Sequence, residues 1–184
     1  MPFTLDAFIA RRPFLYHFTA IENLDSIRYL ARLDSAAILA GKGNFSGPIE
    51  KREKAEPLSM MPDLLARLSS LVFFWPGDDT GPIPYGRRHR IGNKWPSNAA
   101  ALRIPSRELF ESLKPNPIFF CPYNSGSPRW SGGQASPRGP HTFLSACDFP
   151  GTPCTVVEVV VKDSVKLPGG TKVSVDDSWE LLPV

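Results

Sequence analysis

Seven consecutive residues, Thr155-Val156-Val157-Glu158-Val159-Val160-Val161, limit the folds open to this chain more than any other feature. Side chains branched at Cβ stand at every position but one. They fill both faces of an extended strand and crowd a helix. A strand apolar on both faces belongs inside a sheet rather than at its rim. Glu158 interrupts the run. A carboxylate in that setting is paired, protonated or turned into a solvent-lined cleft; alternatively it stands on the exposed face of a half-buried strand in a surface ion pair. The residues leave both readings open.

The opposite end of the chain carries a second informative segment. Phe14-Leu15-Tyr16-His17-Phe18 reads as a short buried strand. Thr19 then begins a helix, with Glu22 three residues on completing a capping box. Ile21, Leu24, Ile27, Leu30 and Leu33 form its apolar stripe. A histidine ending a strand just before a helix N-terminus faces a place that attracts anions, such as a pyrophosphate. Beside apolar neighbours, a satisfied structural histidine is the competing reading.

Between these ends, Asp34 or Ser35 caps a short helix through Leu39, stopped by Gly41. Leu64, Leu65 and Leu68 mark another, entered through Pro62. Leu71 to Trp75 is a buried strand ended by Pro76-Gly77, and residues 76–96, without periodicity, read as a long loop. Ala99 to Ile104 is a strand, Ser106 caps a helix through Leu113, and Ile118 to Cys121 is a further strand. Lys172 to Val175 and Trp179 to Leu182 add one or two more. Strands and helices mix without regular alternation, which predicts an α+β fold rather than a doubly wound parallel sheet. At 184 residues the chain suits a single domain spanning 1–184.

Twenty prolines, about twice ordinary usage, predict short elements and long fixed loops. The stretch Pro122 to Pro140 is rich in Ser, Gly, Pro and Asn, and a loop that long in a compact domain calls for a function. Its Asn124, Ser125, Arg129, Trp130, Gln134 and Arg138 supply hydrogen bonds, stacking and charge suited to a nucleotide base or phosphate. The net charge is only +3, but Arg87-Arg88-His89-Arg90 with Lys94, and Lys51-Arg52 with Lys54, are basic knots that attract a polyanion or a phosphate-bearing cofactor. The bland reading of each is a solvated loop. Cys121, Cys147 and Cys154 fit no metal spacing and read as reduced thiols, so no metal and a cytoplasmic location are expected. No run approaches the length of a membrane span, the first residues lack the layout of a secretory signal, and no membrane partner is expected.

Tyr16-His17-Phe18-Thr19 followed by Ile21-Glu22-Asn23-Leu24-Asp25-Ser26-Ile27 resembles the opening of the DarT-type ADP-ribosyltransferases, which modify DNA bases. The late segment Val156 to Val165 resembles their catalytic strand, and Phe73-Phe74-Trp75-Pro76 their aromatic strand ending in proline. A closer resemblance is to an uncharacterised bacterial family with a Val-Phe-Phe-Trp-Pro strand, a Pro-x-Asn-Ser-Gly-Ser loop and a Pro-Arg-Gly-x-x-Thr-Phe segment, here Val72 to Pro76, Pro122 to Ser127 and Pro137 to Phe143. The resemblance implies an ADP-ribosyltransferase-like α+β fold, with a mixed split β-sheet core and peripheral helices. It implies that NAD is the substrate, held by His17, Phe18, Thr19 and Asn23, with Phe74 and Tyr85 stacking on nicotinamide or a target base. Glu158 is then the catalytic carboxylate, Arg52 the arginine near the substrate, and Asn124, Ser125, Arg129, Trp130 and Arg138 the acceptor contacts. One departure is visible: residues 42–57 are shorter and less patterned than the basic NAD-covering segment of DarT.

The function implied is mono-ADP-ribosyl transfer to a nucleic-acid base, DNA or RNA, by a toxin or defence effector with an antitoxin protein as partner. An NAD glycohydrolase or RNA 2′-phosphotransferase on the same fold is the second enzyme reading. Phosphotransfer would draw on Arg87, Arg88, Arg90 and Arg138. A non-catalytic nucleotide- or nucleic-acid-binding module is the alternative of a different class.

Overall fold

The long strands form because their apolar residues alternate between two faces that are both covered. A computed structural model describes residues 2–41, 68–92, 99–114, 118–125, 142–176 and 178–183. The order is α1 (Leu5–Arg11), β1 (Phe14–Ala20), a 3₁₀ turn (Ile21–Asn23), α2 (Leu24–Leu30), β2 (Arg32–Asp34) and α3 (Ala36–Gly41). Then come β3 (Leu71–Asp78), β4 (Gly81–Pro82), α4 (Pro84–Gly92), β5 (Ala99–Pro105), α5 (Ser106–Leu113) and β6 (Ile118–Cys121). A 3₁₀ turn (Pro153–Thr155), β7 (Glu158–Lys162), β8 (Ser164–Lys166), β9 (Lys172–Ser174) and β10 (Glu180–Leu181) complete it. The predicted α+β class holds, but the sheet is not the mixed one expected: among the described residues the main sheet runs β10-β9-β5-β1-β3-β7-β6, with β4 beside β3, and every pairing is antiparallel.

The two faces of this sheet differ. Leu15, Val72, Phe74, Leu102, Ile104, Phe120, Val159 and Val161 point to one, where Phe8, Leu24, Ile27, Leu109 and Phe110 from α1, α2 and α5 seal the main core. On the other, two smaller clusters lie apart. Leu71, Cys121, Tyr123, Phe143 and Val160 form one; Tyr16, Phe18, Trp75, Ile83, Ala101 and Val157 form the second.

Several expectations are corrected. The strand at Leu71 continues through Pro76-Gly77 to Asp78, because Pro76 needs no N–H there: its carbonyl accepts from Ile83 N at 2.9 Å as β4 folds back. Gly81, at φ +130°, makes that turn possible. The stretch read as a loop over 76–96 therefore holds a strand and the helix α4, entered through Pro84 at its first turn. Thr19 does not cap a helix. It belongs to β1, and its Oγ1 accepts from Asn23 Nδ2 at 3.0 Å, so no capping box forms with Glu22. Leu30 is exposed, and Leu33 leaves the helical stripe for β2. Ser106 sits inside α5 and donates to Arg12 O at 2.7 Å instead of capping. Glu158 opens β7 rather than standing mid-strand, because Thr155 closes a 3₁₀ turn and Val157 N donates to Cys121 O. The helix entered through Pro62, with Leu64 and Leu65, the segment 42–57 with Lys51, Arg52 and Lys54, and Lys94 lie outside the described residues.

Candidate active site at a fork in the sheet

β3 is shared by two partners that pair with different halves of it. β1 pairs with its C-terminal half, ending at Tyr16–Trp75; β7 pairs with its N-terminal half, ending at Phe74–Val159. The sheet forks where the two ladders meet. His17 is the first residue of β1 past its last pair, and Glu158 the first of β7 past its last pair. Continued one step, the two registers set His17 across from Phe74 and Glu158 across from Trp75, so the two residues singled out by sequence flank adjacent positions of β3 from either side, with backbone directions toward opposite faces of the sheet.

When a ladder ends inside a sheet, backbone groups in the gap need other partners. His17 supplies one: its Nδ1 donates to Phe73 O at 2.9 Å. A carbonyl only accepts, so Nδ1 carries the proton, and in the neutral ring Nε2 is the acceptor. The ring also lies 5.9 Å from that of Phe74. The half-buried imidazole therefore turns into the fork, beginning from the face that pairs with Leu102.

Glu158 pairs with Cys121 across β6 and shares its face. It is 3 % exposed. Its Oε2 accepts from Ser125 N at 3.1 Å and Ser125 Oγ at 2.6 Å. Two donors converging on one carboxyl oxygen hold that oxygen in place. Little water reaches the carboxylate, so its field is weakly screened.

α4 packs on the same end of β3. A Cβ on Gly86 would come 2.9 Å from Trp75 Cβ and Cγ, so glycine lets the helix lie against that ring. The helix carries Tyr85, 40 % exposed, with the Arg88 guanidinium 4.8 Å over its ring. Arg87 is tied back, Nε to Pro82 O at 2.8 Å and a terminal nitrogen to Thr80 Oγ1 at 3.3 Å. Arg87 to Arg90 of the basic knot thus lie in a helix, not a loop.

Other expected site residues are distributed unevenly. Asn23 is exposed on the turn after β1 and Thr19 is buried beneath it. Phe74 is fully buried in the main core and Phe18 in the Tyr16–Trp75 cluster, so neither presents a ring to solvent. Ser125 is turned inward onto Glu158 and Asn124 is half-buried beside it. Arg52, Arg129, Trp130, Gln134 and Arg138 lie outside the described residues. Among the described residues no group of His, Cys, Asp and Glu could hold a metal. No helix among them is long and apolar enough to cross a membrane.

Sequence reasoning did not single out Arg103. Its guanidinium lies 4.9 Å from the rings of both Phe14 and Trp179, and it donates to Asp79 O at 3.4 Å. Its neighbour Tyr16 is buried and donates its hydroxyl to Asp78 O. Burial pushes that phenol up to about 12, against the opposing pull of Arg103. The signal was an arginine alternating with apolar residues in β5, facing the aromatic positions of β1.

Residues 48–168 match a family described as Family of unknown function (DUF7002). No curated protein matches the chain. The matched span is about two-thirds of the sequence, and the chain belongs to this family.

Proposed function

We propose that this family member is an NAD-dependent mono-ADP-ribosyltransferase acting on a nucleic-acid base, with NAD entering at the fork around β3. The observation that carries the proposal is that His17 and Glu158 flank adjacent positions of that strand, where its two ladders end, with the His17 ring turned into the gap by its bond to Phe73 O. In this reading the bond between the nicotinamide nitrogen and ribose C1′ breaks. Its electron pair leaves with neutral nicotinamide, and positive charge develops on the ribose. Glu158, weakly screened and held by Ser125, stabilises that charge. His17, with Nδ1 committed to Phe73 O, offers Nε2 as an acceptor for a ribose hydroxyl. A base nitrogen or oxygen of the acceptor then bonds to C1′ and gives up its proton to solvent. Exposed Asn23 and Tyr85 fit a nucleotide by hydrogen bonding and stacking. Buried Phe74 and Phe18 have no direct part in it.

Purified protein incubated with NAD, mixed nucleic acid and lysate should release nicotinamide. Glu158→Gln should lower the rate at least ~100-fold, the scale expected for losing a preorganised electrostatic partner. Release at the wild-type rate in that variant rejects the mechanism.

A second reading is supported by α4. Exposed Arg87 and Arg88 beside Tyr85 suit a nucleic-acid backbone and a stacked base without any turnover. Salt-sensitive binding of single-stranded oligonucleotides, lost in Arg87→Gln/Arg88→Gln and unchanged in Glu158→Gln, together with no nicotinamide release, is its signature.

A further inference from the structure

We infer that Ser125 is a positioning residue for Glu158 rather than an acceptor contact; the inference rests on the transferase reading. The chain leaves β6 at Cys121, which pairs with Glu158. Four residues later it has folded back so that Ser125 N and Oγ both meet Glu158 Oε2, at 3.1 and 2.6 Å. Both residues are buried. The same short segment is anchored elsewhere. Tyr123 donates its hydroxyl to Thr142 Oγ1 at 3.1 Å, with both residues buried, and its ring packs in the cluster of Cys121, Phe143 and Val160. At the start of β7, Val157 N donates to Cys121 O at 2.8 Å. One carboxylate oxygen is thus gripped by two donors on a short segment that is itself anchored at Cys121 and at Tyr123.

A glutamate side chain has three torsions, and the last is broad. Packing along β7 does not by itself set the plane of the carboxylate. Two donors converging on one oxygen do set it. A carboxylate that must meet a developing cation loses rate steeply when displaced, by as much as ~100-fold for 1 Å. Ser125 has its hydroxyl pointed at Glu158 and 1 % of its surface exposed, so it acts on the reaction through the carboxylate. The Pro122–Ser125 segment therefore works as a brace for β7.

Steady-state nicotinamide release by the full-length protein tests this with Ser125→Ala, Ser125→Thr, Ser125→Cys and Glu158→Gln side by side. Ser125→Ala should lower kcat about 10- to 100-fold while KM for NAD stays within about threefold. Ser125→Thr, which keeps the hydroxyl, should recover most of that kcat. Ser125→Cys keeps the shape and weakens the donor, so it reads the same split should the alanine variant not fold. An unchanged kcat in the alanine and cysteine variants, or a raised KM with kcat intact, overturns the inference. A wild type that releases no nicotinamide, or a Glu158→Gln variant as fast as wild type, instead overturns the transferase reading, and the role of Ser125 falls with it.

Discussion

The two faces of the main sheet are built on different terms. One is a continuous apolar core in which Phe120 meets the rings of Phe3, Phe8, Phe110 and Phe149 at 4.8–6.4 Å. The other is broken into two small clusters, and polar groups occupy the ground around them: Glu158 with Ser125, Tyr16 with Asp78, and Arg103 between two aromatic rings. The first face supplies cohesion and asks little of geometry beyond volume. The second depends on individual hydrogen bonds whose loss changes placement more than stability. That division lets single polar contacts on the second face be changed while the apolar core on the first keeps the fold intact.

The sharpest way to test the contrast is to damage each face in turn. Phe120→Ala removes the ring shared by four aromatic neighbours, and urea denaturation should show about 3–5 kcal/mol of lost stability. A loss below ~1 kcal/mol would mean the aromatic cluster is not the centre of the core.

On the second face the largest effect should depend on pH. The fold holds Tyr16 neutral, with its pKa raised to about 12 from an ordinary 10. Its stabilisation is fully present below pH 10 and is lost as pH rises from about 10 through about 12. A shift of about two pH units corresponds to at most about 2–3 kcal/mol. Denaturation midpoints measured from pH 9 to 12 should fall in the wild type and fall less in Tyr16→Phe. Parallel slopes would place the alkaline sensitivity elsewhere.

The smallest effect should come from α4. Arg87→Gln/Arg88→Gln changes exposed positions and should shift stability by no more than about 0.5 kcal/mol, while weakening oligonucleotide binding at low salt. A large stability loss would show that the Arg87 bonds to Pro82 and Thr80 secure the helix to the sheet.

How far the sequence could be read follows the same division. The strands β1, β3, β5, β6 and β7 announce themselves because both their faces are covered, which leaves apolar runs such as Leu71 to Trp75. Helix α4 was hidden because, among its described side chains, Gly86 alone is buried, while Pro84, Tyr85, Arg87 and Arg88 are exposed, which leaves no apolar period there to detect. The pair β2–β8 is three residues long on each side and is fixed by a contact 130 residues apart, Ser164 Oγ donating to Asp34 Oδ1 at 2.8 Å. Local pattern carries no trace of such a bond. His17 and Glu158 were legible as misfits in apolar strands. That they meet β3 where its two ladders end was not, because register is a property of the pairing and not of either strand. Ser125 looked like a polar loop residue for the same reason: its partner lies 33 residues away.

The most direct test of the fork as an NAD site is calorimetric titration of NAD into wild type, His17→Ala and Glu158→Gln. Binding should be about 10-fold or more weaker in His17→Ala, as expected for losing a ribose hydrogen bond worth about 1.5 kcal/mol. It should stay within about threefold of wild type in Glu158→Gln, whose contribution is to the transition state. No NAD binding by the wild type, or His17→Ala binding as tightly as wild type, would contradict the placement of the cofactor between β1 and β7.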